Sequence, residues 1–147
     1  KKQIKNILTE NNLETIDIAN YNSPTQTVIS GPQADIETAE PLFKTAGAKM
    51  YVVLKVSGAF HSRYMADAQA EFESFLNGFE LKKPGIPVIA NYTAQKYETD
   101  NIKKTLANQI SNSVRWVETI QLLKKEADPE FEEIGPGKVL TKLIGQI

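Results

Sequence analysis

Apolar positions first recur at helical spacing. Within residues 3–12, Ile4, Ile7 and Leu8 share one face, and Asn11-Asn12 closes the run. The period then changes: residues 14–20 alternate, with Ile16 and Ile18 on one side, which predicts a strand. Tyr21-Asn22-Ser23-Pro24 is a turn by composition, and residues 26–30 form a second strand stopped by Gly31-Pro32. From Ala34 to Ala46 the spacing of Ile36, Ala39, Leu42 and Phe43 predicts a helix, with Gly47 as its C-terminal stop. Residues 49–56 are apolar and β-branched, which predicts a third strand.

Helix, strand, strand, helix, strand over residues 3–56 is the split β-α-β pattern without its first strand. That strand would precede Lys1. The chain also starts without a methionine or the apolar core of a signal peptide, so it reads as a cut into a longer polypeptide.

Ser57 to Ser62 is a loop of small residues between a strand and a helix over residues 63–76, whose buried face carries Met65, Ala68, Phe72, Phe75 and Leu76. Beyond the Pro84-Gly85 and Pro87 loop, Val88-Ile89-Ala90 is a short strand candidate. Ile102, Leu106 and Ile110 mark a helix that Asp100 would cap, and Trp116, Val117, Ile120 and Leu123 mark another. Phe131 to Ile134 reads as a strand, Gly135-Pro136-Gly137 as a turn, and Val139 to Ile147 as a last helix. The fold class is α/β: a small α+β subdomain over 1–56, packed without a linker on 57–147, the tail of a larger α/β body.

The charge balance narrows the function. The 17 basic and 18 acidic residues nearly cancel, and Arg63 and Arg115 are the two arginines, so nucleic-acid binding is disfavoured. No apolar run reaches the roughly 20 residues that span a bilayer, and neither a membrane partner nor a resident cofactor is expected. The absence of cysteine excludes disulfides and thiolate catalysis, and a single histidine excludes a multi-histidine metal site within the chain.

Any imidazole chemistry therefore belongs to His61. A lone histidine is usually structural, but this one follows a strand, sits among small residues and precedes a helix. The small residues allow a substrate to approach the backbone. The positive end of the helix disfavours the imidazolium, which suits a general base. A nucleophile is harder to find. A serine elbow needs G-x-S-x-G, and neither Ser57 nor Ser30 has the preceding glycine. Ser57 and Ser62 read as loop or capping residues. Gly135-Pro136-Gly137-Lys138 lacks the phosphate-loop spacing and reads as a tight turn feeding a helix.

Five ordered motifs carry a family resemblance: Asn20-Tyr21-Asn22-Ser23-Pro24; Val28-Ile29-Ser30-Gly31; Gly58-Ala59-Phe60-His61-Ser62; Asn108-Gln109-Ile110 with Asn112-Ser113-Val114-Arg115-Trp116; and Glu133-Ile134-Gly135-Pro136-Gly137-Lys138-Val139-Leu140. In this order and spacing the chain resembles the malonyl-CoA:acyl carrier protein transacylase family of fatty-acid and polyketide biosynthesis. With Arg63-Tyr64-Met65 following, it looks most like the discrete, trans-acting acyltransferases of polyketide pathways.

The resemblance implies a ferredoxin-like small subdomain (1–56, missing its first strand) inserted in an α/β-hydrolase-like large one, of which 57–147 is the C-terminal portion. It implies ping-pong acyl transfer in the cytoplasm, with malonyl-CoA and a phosphopantetheinyl acyl carrier protein as substrate and partner. His61 matches the family's histidine. Gln109 matches the glutamine whose main-chain carbonyl orients that histidine, a role suited to the last turn of a helix, where carbonyls lack intrahelical partners. Phe60 and Ala59 match positions linked to substrate choice. Gly58 departs from the malonyl-type pattern, which usually has histidine there. Asn22 falls in a turn that faces the family's cleft. The family's elbow serine, oxyanion glutamine and carboxylate-binding arginine all precede the matched region, so the chain alone is expected to be inactive. Two other readings share the fold: an acyl hydrolase acting on stalled carrier proteins, and a non-catalytic docking or structural module.

Overall fold

The computed structural model describes residues 2–147; Lys1, the first residue of the expected small subdomain, lies outside them. The chain forms six helices and one two-stranded sheet among the described residues: α1 (Lys2–Glu10), β1 (Asp17–Tyr21), β2 (Thr27–Ser30), α2 (Gln33–Thr45), α3 (Ala66–Leu76), α4 (Ile102–Ser111), α5 (Trp116–Leu123) and α6 (Val139–Ile144). Single 3₁₀ turns lead into α3 (Arg63–Met65) and α4 (Thr99–Asn101). No helix among them is long and apolar enough to cross a membrane.

The apolar stripe of α1 is buried as its spacing requires. Ile7 and Leu8 join Leu13, Ile16, Ile18, Ala39 and Phe43 in one core between α1, β1 and α2. Each large side chain buried there contributes about 1.5–3 kcal/mol. α2 ends where expected: Gly47 takes φ +93°, a left-handed conformation, and Ala48 N–H reaches back to the Phe43 carbonyl at 2.9 Å. Pro41 lies inside α2 on its exposed side.

β1 and β2 are antiparallel, pairing Asp17 with Ser30 and Tyr21 with Thr27, and the register slips between Ile18 and Asn20. The other edge of β1 is taken by the linker between α4 and α5. Tyr21 N–H donates to the Val114 carbonyl at 2.9 Å, Val114 N–H donates to the Ala19 carbonyl at 2.8 Å, and the Ser113 hydroxyl reaches the Ile18 carbonyl at 2.5 Å. These bonds fasten the first third of the chain to the rest.

Three expected elements are corrected. Residues 49–56 do not form a strand. Tyr51 packs on Phe43 and its hydroxyl holds the Ile36 carbonyl, but the chain beyond is unpaired, with Val52, Leu54 and Val56 exposed. β-propensity produces a strand only where a neighbouring ladder accepts the backbone bonds. Phe131–Ile134 is likewise without a ladder, and Ile134 is 92% exposed. Val88–Ala90 makes a single bridge, Ile89 to Lys96. Asp100 does not cap α4: it sits within the 3₁₀ turn, and Asn101 occupies the cap position without a capping bond.

Candidate functional site

The loop after residue 56 turns sharply at His61, whose φ of +59° is left-handed, a conformation uncommon outside glycine. Three bonds hold it there. The His61 N–H donates to the Ile110 carbonyl at 3.0 Å, the buried Ser62 hydroxyl donates back to the Ala59 carbonyl at 2.5 Å, and Met65 N–H closes on the Ser62 carbonyl at 3.0 Å. Ser62 therefore shapes the loop and offers no free hydroxyl.

The ring is fixed as well. His61 Nδ1 lies 2.8 Å from the Gln109 carbonyl oxygen. Gln109 is in the last turn of α4, where carbonyls have no intrahelical partner. A carbonyl can only accept, so the proton sits on Nδ1 and the Nε2 lone pair is left to take a proton. The negative end of α4 favours any positive charge that develops on the ring. The Gln109 side chain points elsewhere: its Oε1 accepts the Asn91 N–H at 3.0 Å and it bonds to Tyr97, whose hydroxyl is pushed up by burial.

On the other side, Arg63 closes on Asp17 of β1. Its Nε lies 3.0 and 3.1 Å from the two carboxylate oxygens, its Nη2 lies 2.5 Å from Oδ1, and its main-chain N–H donates to Oδ2 at 2.8 Å. This bonding holds the Asp17 carboxyl below its ordinary value, against the opposing effect of its partial burial. The Tyr64 hydroxyl adds a bond to the Thr15 carbonyl at 2.8 Å. Beside this clasp an open cleft of about 710 Å³ is lined by His61, Arg63, Asp17, Tyr21, Leu13 and Asn112.

The structure thus brings His61 and Gln109 into direct contact and places Ala59 and Phe60 on the same loop, with Phe60 46% exposed. Asn22 lies in the β1–β2 turn, where its amide donates to Gln26 Oε1 at 3.2 Å, one residue beyond Tyr21, which lines the cleft beside His61. A side-chain carbon added at Gly58 would meet nothing nearer than Met65 and Phe60 at 3.9 Å, an ordinary van der Waals distance. No group of three potential metal ligands occurs among the described residues.

Sequence reasoning passed over Asp17 as a partner of the His61 loop. An acidic residue on a half-buried strand and an arginine two places after the histidine carry no joint signal until the fold brings them together. Gln69 gave a fainter one: it is polar on a helix flank beside Met65, Ala68 and Phe72.

The chain is 49% identical to the polyketide biosynthesis malonyl CoA-acyl carrier protein transacylase PksC of Bacillus subtilis, over 100% of this chain and 51% of that protein. It is 51% identical to the corresponding BaeC of Bacillus velezensis, over 99% of this chain and 50% of that protein. The chain therefore spans about half the length of these relatives. Among solved structures, a malonyl CoA-acyl carrier protein transacylase from Burkholderia pseudomallei matches with TM-score 0.91 and 43% identity, over 99% of this chain and 51% of that one. A malonyl-transacylase solved in complex with a type II PKS acyl-carrier protein matches with TM-score 0.93 and 32% identity, over 99% and 48%. The α/β fold is shared with these enzymes, and since residues 6–146 match the family model of the acyl transferase domain, the chain belongs to that family.

Proposed function

We propose that this chain is the C-terminal part of a malonyl-CoA:acyl carrier protein transacylase of a polyketide pathway. It acts in the cytoplasm on malonyl-CoA and a phosphopantetheinyl carrier protein, without a resident cofactor. The observation that carries the reading is the 2.8 Å contact between His61 Nδ1 and the Gln109 carbonyl, which leaves Nε2 free as a base. Membership of the acyl transferase family and the high identity to PksC and BaeC support the substrate class.

The nucleophile comes from a serine outside these residues. Its hydroxyl proton passes to His61 Nε2 as the oxygen attacks the malonyl thioester carbonyl. The Gln109 carbonyl, fixed at the end of α4, stabilises the imidazolium in the role a carboxylate plays in a serine–histidine–aspartate triad. Collapse breaks the carbon–sulfur bond, and the coenzyme A sulfur leaves with the proton held on Nε2. The carrier-protein thiol then gives its proton to Nε2, attacks the acyl-serine ester and releases the serine oxygen, which recovers that proton. Ala59 and Phe60, adjoining the base, contact the acyl group.

In the full-length protein, His61→Ala should slow serine acylation by at least about 10²-fold while the thermal midpoint stays near wild type. An unchanged acylation rate would refute the role. The isolated chain, incubated with malonyl-CoA, should show no covalent malonyl adduct by mass spectrometry; an adduct would place a nucleophile inside these residues.

A further inference from the structure

The two elements that make the histidine–carbonyl contact are joined by a second device. His61 lies on the loop that feeds α3, and its acceptors, the Gln109 and Ile110 carbonyls, lie in the last turn of α4. One turn into α3, Gln69 spans the gap between the helices. Its Nε2 donates to Asn108 Oδ1 at 2.8 Å, and its Oε1 accepts the Ser111 hydroxyl. Asn108 and Ser111 immediately flank the two residues whose carbonyls receive His61. Asn108 is itself held, its Nδ2 donating to the Tyr92 hydroxyl at 3.2 Å. The Asn112 amide caps the turn, donating to the Asn108 carbonyl at 2.8 Å.

A primary amide suits this place for a physical reason. It offers one donor and one acceptor about 2 Å apart, matching an amide oxygen on one side and a hydroxyl on the other. Both bonds are half-buried, away from full competition with water. The pair therefore resists both sliding of α4 along α3 and rotation of its last turn. Either motion would carry the Gln109 carbonyl away from Nδ1.

We propose that Gln69 is a positioning residue for acyl transfer: through Asn108 and Ser111 it fixes the end of α4 that orients His61. The inference rests on the reading of His61 as the general base. Gln69 touches neither substrate nor His61, so its effect is on the alignment of the base and falls on kcat. Misplacement of a catalytic group by a fraction of an ångström costs about tenfold or more in rate.

The test uses the full-length protein, with malonyl-CoA and holo carrier protein as substrates. Gln69→Leu keeps the volume and removes both bonds. It should lower kcat about tenfold, with KM for malonyl-CoA within about twofold. The same variant should broaden or abolish the protected Nδ1–H resonance of His61 in histidine-¹⁵N-labelled protein, assigned by its absence in His61→Ala. Gln69→Glu should restore most of kcat: its carboxylate still accepts from Ser111 and, once the Asn108 amide turns over, from Asn108 Nδ2. Ser111→Ala removes one bond without adding bulk and should cost about threefold in kcat. It serves as the test if the leucine variant does not fold. Folded variants with wild-type kcat and an intact resonance would overturn the role, as would a loss of kcat with the resonance unmoved. If His61→Ala transfers malonyl at the wild-type rate, the proposed function itself fails. If that variant is inactive while Gln69→Leu is fully active, only the positioning role fails.

Discussion

Replacing Asp17 by Asn isolates the charge that holds the His61 loop to β1. The carboxylate takes three side-chain contacts from Arg63, between 2.5 and 3.1 Å, and one main-chain N–H at 2.8 Å. Breaking a buried pair of this kind by removing one charge would cost several kcal/mol, because the other would be left uncompensated. Here the Arg63 side chain is 59% exposed and the Asp17 side chain 22%, so solvent screens the attraction. Asparagine also retains an oxygen for the Arg63 N–H. The discounted loss is about 1 kcal/mol, a fall of about 2–4 °C in thermal midpoint for a protein of this size.

The pH dependence follows from linkage. The folded carboxyl is held below its ordinary value, chiefly by the hydrogen bond from Arg63. Its contribution is therefore complete above the unfolded value of about 3.9 and disappears as pH falls through the lower folded one. Wild type and Asp17→Asn should differ at pH 7 and converge towards pH 2, and about 1 M salt should narrow the gap. Thermal unfolding of Asp17→Asn, Arg63→Met and the double variant gives the coupling directly. A coupling below about 0.2 kcal/mol, at the floor for exposed pairs, would refute the reasoning. So would a stability difference that persists unchanged at pH 2. Hydrogen exchange at the Arg63 amide should quicken in the variant, because that amide loses a charged acceptor.

Three further outcomes are expected. In the full-length protein, Phe60→Ser should raise methylmalonyl relative to malonyl loading by about 10-fold or more, the scale of 1–3 kcal/mol for one methyl group; competitive loading read by mass spectrometry would show no change if Phe60 does not crowd that group. Glu133 bonds the Thr141 hydroxyl at 2.7 Å and the Thr141 and Leu140 N–H groups at 2.8 and 3.1 Å, which lowers its carboxyl from the ordinary range. Its hold on α6 should be full above about pH 4.3 and vanish as pH falls through the lowered folded value, so amide exchange at Thr141 should accelerate there and be pH-independent, after correction for intrinsic rates, in Glu133→Ala. Pro41 leaves one turn of α2 without its backbone bond, so Pro41→Ala should raise stability by about 1–3 kcal/mol; a lower melting temperature would show that the ring packs usefully.

Helix bodies were more legible than helix ends, because a helix satisfies its backbone within its own segment while the start of α4 was expected at an Asp100 cap that does not form. The stripes of α1 and α2, the stop at Gly47 and the amphipathic runs of α4 and α5 all formed as their spacing required. Strands were legible only where a partner exists. Residues 14–20 and 26–30 contain a real pair, whereas 49–56 and 131–134 have the composition of strands and no ladder. A pattern of apolar residues cannot supply the neighbour that a strand needs.

The site divides in the same way. The sequence by itself determined what reactive groups the chain can offer, one imidazole and no thiol, and carried motifs specific enough to indicate the acyl transferase family. Only the tertiary structure decided how those residues are held. It set the left-handed turn at His61, and it put the Gln109 carbonyl on Nδ1 across 48 residues. It closed Arg63 on Asp17 across 46 residues and tied Gln69 to the end of α4. Local periodicity reaches a few residues along the chain, while hydrogen-bond geometry depends on which distant carbonyl or carboxylate the packed core brings within 3 Å.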